Sequence, residues 1–218
     1  MGNRPVSWLL ALLLVACGCA GEEPGTPAVA LVDYVEAASD RDADRVEELL
    51  SSRFKRRSDL GDSQLESLVQ AVGEDVRGVG DHVLFTQPLG DDVAVVALES
   101  ASRPGAFAQP LVLEGEDWRV EPFGLDLVYG TSAASSSLPS PPRKLEFGVN
   151  APAERKDGVQ PRLWLDGLAL DLSRTKTESP VTFVARPPPL DSGRHTVVAY
   201  AEVEDRRAAI AWTFTVAG

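Results

Sequence analysis

The chain has 218 residues, 44% of them hydrophobic and 25% charged, a composition that excludes a mostly disordered protein and allows one or two domains. Its 33 acidic and 21 basic residues leave a net charge of −12, which makes nucleic acid and bare anionic lipid headgroups poor partners; no nucleic acid is predicted. With two cysteines and two histidines there is little to build metal or thiol chemistry from, and no cofactor or metal is predicted.

Residues 1–16 read as a signal peptide. Arg4 supplies a positive start. Residues 6–16 form an apolar run broken only by Ser7, long enough for a signal core and too short for a stable membrane anchor. The run ends in Leu14-Val15-Ala16-Cys17, which resembles the bacterial lipobox. That resemblance implies a diacylglycerol on the Cys17 thiol, cleavage before Cys17, and a partner in the membrane through the lipid. An ordinary secretory cut near Ala20 is the alternative. Cys19 is a rival lipidation site, but it lacks a large apolar residue three positions back. Both cysteines lie in this segment, so a disulfide, a cysteine nucleophile and a cysteine-ligated metal are excluded from the folded body. The lipobox places the protein outside the cell membrane, on its outer face. In a two-membrane cell, Gly18 rather than Asp after Cys17 favours the outer membrane by resemblance to sorting rules. Residues 17–26 are small, acidic and Pro/Gly-bearing, and read as a tether.

Residues 27–130 form a first unit with helical periodicity at its start. Ala28, Leu31, Val32, Val35 and Ala38 share one helix face, and Val46, Leu49, Leu50 and Phe54 repeat the pattern. Asp40, Asp42 and Asp44 lie between them, where a turn and a cap are needed. Leu65, Leu68, Val69 and Val72 mark a third helix, capped by Asp62 or Ser63. The period then changes, and strands are predicted over 82–86, 93–98, 107–113 and 118–122, with Pro110 marking an edge or a bulge. Helices followed by a meander resemble the NTF2-like superfamily, also called the cystatin-like cone, of the SnoaL/DUF4878 type. The resemblance rests on Ala38-Ser39-Asp40-Arg41-Asp42 with residues 46–50, and on the closing Glu116-Asp117-Trp118-Arg119-Val120. It implies an α+β cone: a curved antiparallel sheet wrapped round helices, with room for a pocket.

Residues 131–142, within a Ser- and Pro-rich stretch reading Gly130-Thr-Ser-Ala-Ala-Ser-Ser-Ser-Leu-Pro-Ser-Pro-Pro142, are predicted to be an interdomain linker that lets the two units move. The charge divides there: residues 22–130 carry 23 acidic and 9 basic side chains, and residues 131–218 carry 10 and 11. Residues 143–218 are all strand. Leu145, Phe147 and Val149 alternate, as do Val181, Phe183 and Ala185, then Val197, Ala199, Ala201 and Val203, then Ile210, Trp212, Phe214 and Val216. Asp166-Gly167 between two apolar runs predicts a two-residue hairpin. The phrases over 190–197 and 211–216 resemble cysteine-free bacterial immunoglobulin-like domains, which implies an all-β sandwich.

No complete catalytic set is legible. Asp40-x-Asp42-x-Asp44 fails as a calcium loop, because Arg45 and Ser51 stand where Gly and Glu are required. Asp191, Ser192 and His195 crowd into one turn, whereas a triad converges from distant segments. Asp81-His82 opens a strand and reads as a surface pair. Arg53, Lys55, Arg56 and Arg57 form a basic knot that could take a phosphate, a wall polymer or an acidic partner; the plainer reading is a solvated helix end. The sequence therefore predicts an exported, lipid-anchored envelope protein, non-enzymatic, whose modules bind a small ligand, a wall polymer or another envelope protein. An enzyme of lyase or isomerase type in the cone, and an accessory of cell-wall assembly, are the alternatives.

Overall fold

In the computed structural model the described residues are 25–102, 104–122, 124–130 and 137–218. The signal peptide, Cys17, most of the tether and residues 131–136 of the linker lie outside them.

Four helices come first: α1 (Pro27–Asp40), α2 (Ala43–Leu49), α3 (Ser52–Ser58) and α4 (Asp62–Asp75). Each of the first three starts where a short polar side chain takes up an orphan N–H. The Thr26 hydroxyl accepts from Val29 at 3.3 Å, the Asp42 carboxylate from Arg45 at 3.0 Å, and the Ser51 hydroxyl from Phe54 at 3.0 Å. Pro27 pre-sets the first turn of α1, and Arg41 closes it in the left-handed region at φ 59°. The Asp40–Asp44 segment is thus a turn and a cap. The helical reading of the sequence holds, with the second apolar stretch divided between α2 and α3.

A first antiparallel sheet follows, in the order β1 (Val79–Pro88), β2 (Val93–Ser100), β3 (Ala106–Glu114) and β4 (Asp117–Val120). Pro110, expected at an edge or a bulge, instead lies inside the interior strand β3, opposite Val95 in an unbroken β2–β3 register. The β3–β4 ladder runs from Leu111 to Glu114, and the Pro110 carbonyl takes the Glu121 N–H at 3.0 Å just beyond it. The remaining strands build two facing sheets. One is ordered β10 (Ser173–Lys176), β11 (Val181–Ala185), β7 (Leu145–Asn150), β5 (Asp126–Tyr129). The other is ordered β6 (Ser137–Leu138), β13 (Arg206–Val216), β12 (Gly193–Val203), β8 (Gln160–Leu165), β9 (Leu168–Ala169). Their inner faces meet in one core containing Phe147, Phe183, Val197, Ala199, Trp212 and Phe214. This is the immunoglobulin-like β-sandwich that the alternating pattern predicted. Its edge strand β10 is exposed throughout, and Arg174 turns inward over the Phe183 ring to pair with Asp157 at 3.4 Å, a charge that discourages pairing with another chain.

The NTF2-like cone expected from the resemblance does not form. The sheet that should wrap the helices has four strands and ends at a four-residue β4. The next strand, β5, pairs with β7 in the sandwich, matching Asp126 with Asn150 and Tyr129 with Phe147. The helices cover one face of the first sheet, burying Leu31, Val35, Phe54 and Val69 against Val96, Leu98 and Leu111. The opposite face packs on the outside of the sandwich. Phe85, Val95, Ala97, Ala106 and Ala108 meet Trp164, Val198, Tyr200, Ala209 and Ala211. The molecule is therefore layered as helices, first sheet, five-stranded sheet and four-stranded sheet. Strand β2 is apolar on both faces for this reason, reading Val-Ala-Val-Val-Ala-Leu with every one of those residues buried. The expected freedom between the two units is also corrected, since this third core joins them.

Candidate functional site

The basic knot is drawn into the junction between the units. Helix α3 spreads its four cations in different directions. Arg53 Nη1 donates to the Asp205 carbonyl at 3.5 Å, in the β12–β13 turn, and Lys55 Nζ donates to the Glu47 carbonyl at 3.2 Å. Arg56 is exposed. Arg57 lies over the Phe54 ring and reaches Glu121 at 3.4 Å. Glu121 is fully buried, and its second oxygen pairs with Arg207 of β13 at 3.1 Å. Arg207 in turn pairs with Glu202 at 3.0 Å, and Glu202 accepts from the Tyr200 hydroxyl, also at 3.0 Å. The four cations do not converge on one point. A buried carboxylate demands countercharge, and the junction supplies it from both units. Sequence reading missed Glu121 because its partners lie 64 and 86 residues away.

A second set of contacts crosses at the end of β2 and the turn into β3. Arg194 binds the Glu99 carboxylate and donates to the Gly105 carbonyl at 3.1 Å, and the Thr213 N–H donates to the Pro104 carbonyl at 3.0 Å. Gly105 is required there. It sits at φ +87°, and a Cβ would lie 2.2 Å from Thr213 Oγ1.

Asp191, Ser192 and His195 stay together at one turn into β12, as read from the sequence, and His195 bonds backbone there. His195 Nδ1 lies 2.7 Å from Asp166 Oδ2, across the hairpin turn, and Nε2 lies 3.0 Å from the Asp191 carbonyl. Ser192 is not a partner of the ring in either bond. His82 is exposed in β1, as its reading as a surface residue requires.

The junction also leaves a cleft of about 830 Å³. It runs beside residues 106–109 of β3, which extend beyond the β3–β4 ladder, and is walled by residues 124–129 and by 206–211 of β13. Small side chains from both units make the room: Ala106, Ala108, Ala209 and Ala211 all border it. Phe107, Leu125, Leu127, Ile210 and Tyr129 supply the apolar wall, and Tyr129 is stacked on Trp212 at 5.7 Å. Polar groups share the lining. Asp126 accepts from Asn150 Nδ2 at 2.6 Å, and the Ser179 hydroxyl donates to Asn150 Oδ1 at 3.3 Å. Asp75, from the end of α4, also borders the cleft, and burial raises its carboxyl above the ordinary range. Behind it the Tyr34 hydroxyl is buried without a protein partner, and burial, then the Asp75 charge, push it above its ordinary range. Gln109 and Arg206 also line the cleft, so it mixes apolar and polar walls. None of these residues was singled out as a site from sequence, because the cleft belongs to neither unit alone.

No protein-family model matches the chain, and no curated protein matches it in sequence. Solved structures give partial likenesses. CopC from Methylosinus trichosporium OB3b is 17% identical, covering 42% of this chain and 92% of that one at a TM-score of 0.32. PcoC, a methionine-rich copper resistance protein from Escherichia coli, is 20% identical, covering 43% and 98% at 0.31. The filamin domain of Lin-41 is 15% identical, covering 43% and 92% at 0.29. These stand in place of the NTF2-like relatives that the element order suggested. At such TM-scores they carry no argument about binding or activity.

Proposed function

We propose that the chain is an exported envelope protein, lipid-anchored through Cys17, that binds a ligand in the cleft between its two units and does not catalyse. The cleft carries this reading: about 830 Å³ of space bordered by both units, within the size of ordinary ligand sites of roughly 300–1,000 Å³. Export and anchoring rest on the lipobox-like Leu14-Val15-Ala16-Cys17. The binding role rests on a cleft where Asp75, Asp126 and Arg206 stand beside apolar side chains from both units. Copper, which is named for PcoC, is not part of this reading. Met1 is the only methionine, both ring nitrogens of His195 are engaged, and no cluster of three or more metal-ligating side chains occurs among the described residues.

The test is a small-molecule fragment screen read by backbone amide shifts. Fragment shifts should gather on residues 106–109, 124–129 and 206–211, and Gln109→Trp, which projects bulk into the cleft, should abolish them. Hits confined to other surfaces, or hits unaffected by Gln109→Trp, would remove the reading.

A further inference from the structure

His195 stands where three segments of the sandwich meet: the β8–β9 turn, the loop before β12, and β13. Its Nδ1 faces Asp166 Oδ2 at 2.7 Å, its Nε2 faces the Asp191 carbonyl at 3.0 Å, and its ring lies against Phe214 at 5.3 Å between centroids. Both polar partners are acceptors. A neutral imidazole has one N–H and satisfies one of them, leaving a lone pair aimed at the other. The imidazolium has two N–H groups and satisfies both. Asp166 is itself pinned, because its other oxygen takes the Thr196 N–H at 2.8 Å. The residue before His195 is Arg194, whose guanidinium reaches out of the sandwich to Glu99 and to the Gly105 carbonyl at 3.1 Å. The ring and the seam contact therefore share one short piece of β12.

We propose that His195 is a proton-operated clasp: protonated, it ties the β8–β9 turn and the loop before β12 to the strand that carries Arg194, and deprotonation loosens the hold of Arg194 on the first unit. The charged groups facing the ring are Asp166 from the turn and Asp191 from the loop; β13 presents Phe214 and no charge; Arg194 is directed at Glu99. Burial works against the charge on the ring. The Asp166 hydrogen bond, the Asp191 carbonyl and the two carboxylates outweigh it and raise the pKa above the ordinary value of about 6.5. A folded pKa above the unfolded one stabilises the clasp fully below about pH 6.5. That stabilisation disappears as pH rises through the folded value.

The experiment uses the full chain with Cys17→Ala. The imidazole proton resonances of His195 are followed against pH, and hydrogen exchange is followed over residues 193–196 and 104–108. The midpoint should lie above about 6.5 and should fall in Asp166→Asn. Exchange corrected for intrinsic base catalysis should rise about tenfold in 193–196 as pH passes that midpoint, with a smaller rise in 104–108. His195→Gln should show the high-pH exchange at every pH, and Asp166→Asn serves the same comparison if that variant does not fold. A midpoint at or below about 6.5 overturns the clasp. A change confined to 193–196, with 104–108 flat, overturns its link to the seam.

Discussion

Replacing Glu121 with Ala tests the junction where its electrostatics are most exposed to failure. The carboxylate is fully buried and neutralises two guanidinium groups, Arg57 at 3.4 Å and Arg207 at 3.1 Å, whose side chains are only 21% and 11% exposed. One nitrogen on each, Arg57 Nη2 and Arg207 Nε, is buried without a partner already. Removing one member of a buried pair typically costs roughly 3–5 kcal/mol, because it strands the remaining charge. Arg207 keeps Glu202 at 3.0 Å and Arg57 keeps the Phe54 ring, so the lower end applies, about 3 kcal/mol. For a chain of this size that lowers Tm by about 6–12 °C. Urea unfolding followed by circular dichroism measures it, with Glu48→Ala as the control. Glu48 pairs with Arg45 at the surface, where its loss should cost less than about 1 kcal/mol. If Glu121→Ala costs no more than Glu48→Ala, the buried network does not hold the junction as argued.

Other outcomes follow from the same geometry. Gly124→Ala would place a Cβ 2.1 Å from the Arg207 carbonyl oxygen, a backbone atom that cannot turn away. The cost should reach about 3 kcal/mol by chemical denaturation, the upper end for overpacking. Phe147→Ala empties a fully buried position in the sandwich core and should cost about 3–5 kcal/mol. Arg56→Ala removes the exposed member of the basic knot and should leave stability within about 0.5 kcal/mol of the parent, whereas Arg57→Ala should not. Cys17→Ala should move the protein from the membrane fraction to the soluble fraction; retention on the membrane, with release by Cys19→Ala, would move the lipid to the other cysteine.

Local structure was legible because local chemistry sets it. Asp42 caps α2 and Asp166-Gly167 turns a hairpin in the left-handed region, as read; the Thr26 and Ser51 caps were not read, and α4 starts at Gly61 with no side-chain cap in place of Asp62 or Ser63. The sandwich was legible because one face of each strand alternates. The assembly of the units was not, although a signal was present. Residues 93–98 are apolar at successive positions, and in β12 Val198 and Tyr200 interrupt the polar face between Val197, Ala199 and Ala201. Such strands are buried on both sides, which a free-standing cone or an isolated sandwich does not require. The Ser/Pro stretch after β5 suggested a hinge, yet no linker composition reports whether the faces on either side of it are apolar. The candidate cleft inherits that blindness, since its walls come from β3, β5 and β13, and only the docking of the two units brings them together.

The most direct test of the account is nitrogen-15 relaxation of the backbone amides in residues 25–120, from the helices and first sheet, and 145–216, from the sandwich, of the same intact chain. A shared core and a buried ionic network predict one rotational diffusion tensor that fits both sets. Two independent tensors, each faster than the whole chain allows, would mean that the units tumble separately and that the cleft between them is not a fixed site.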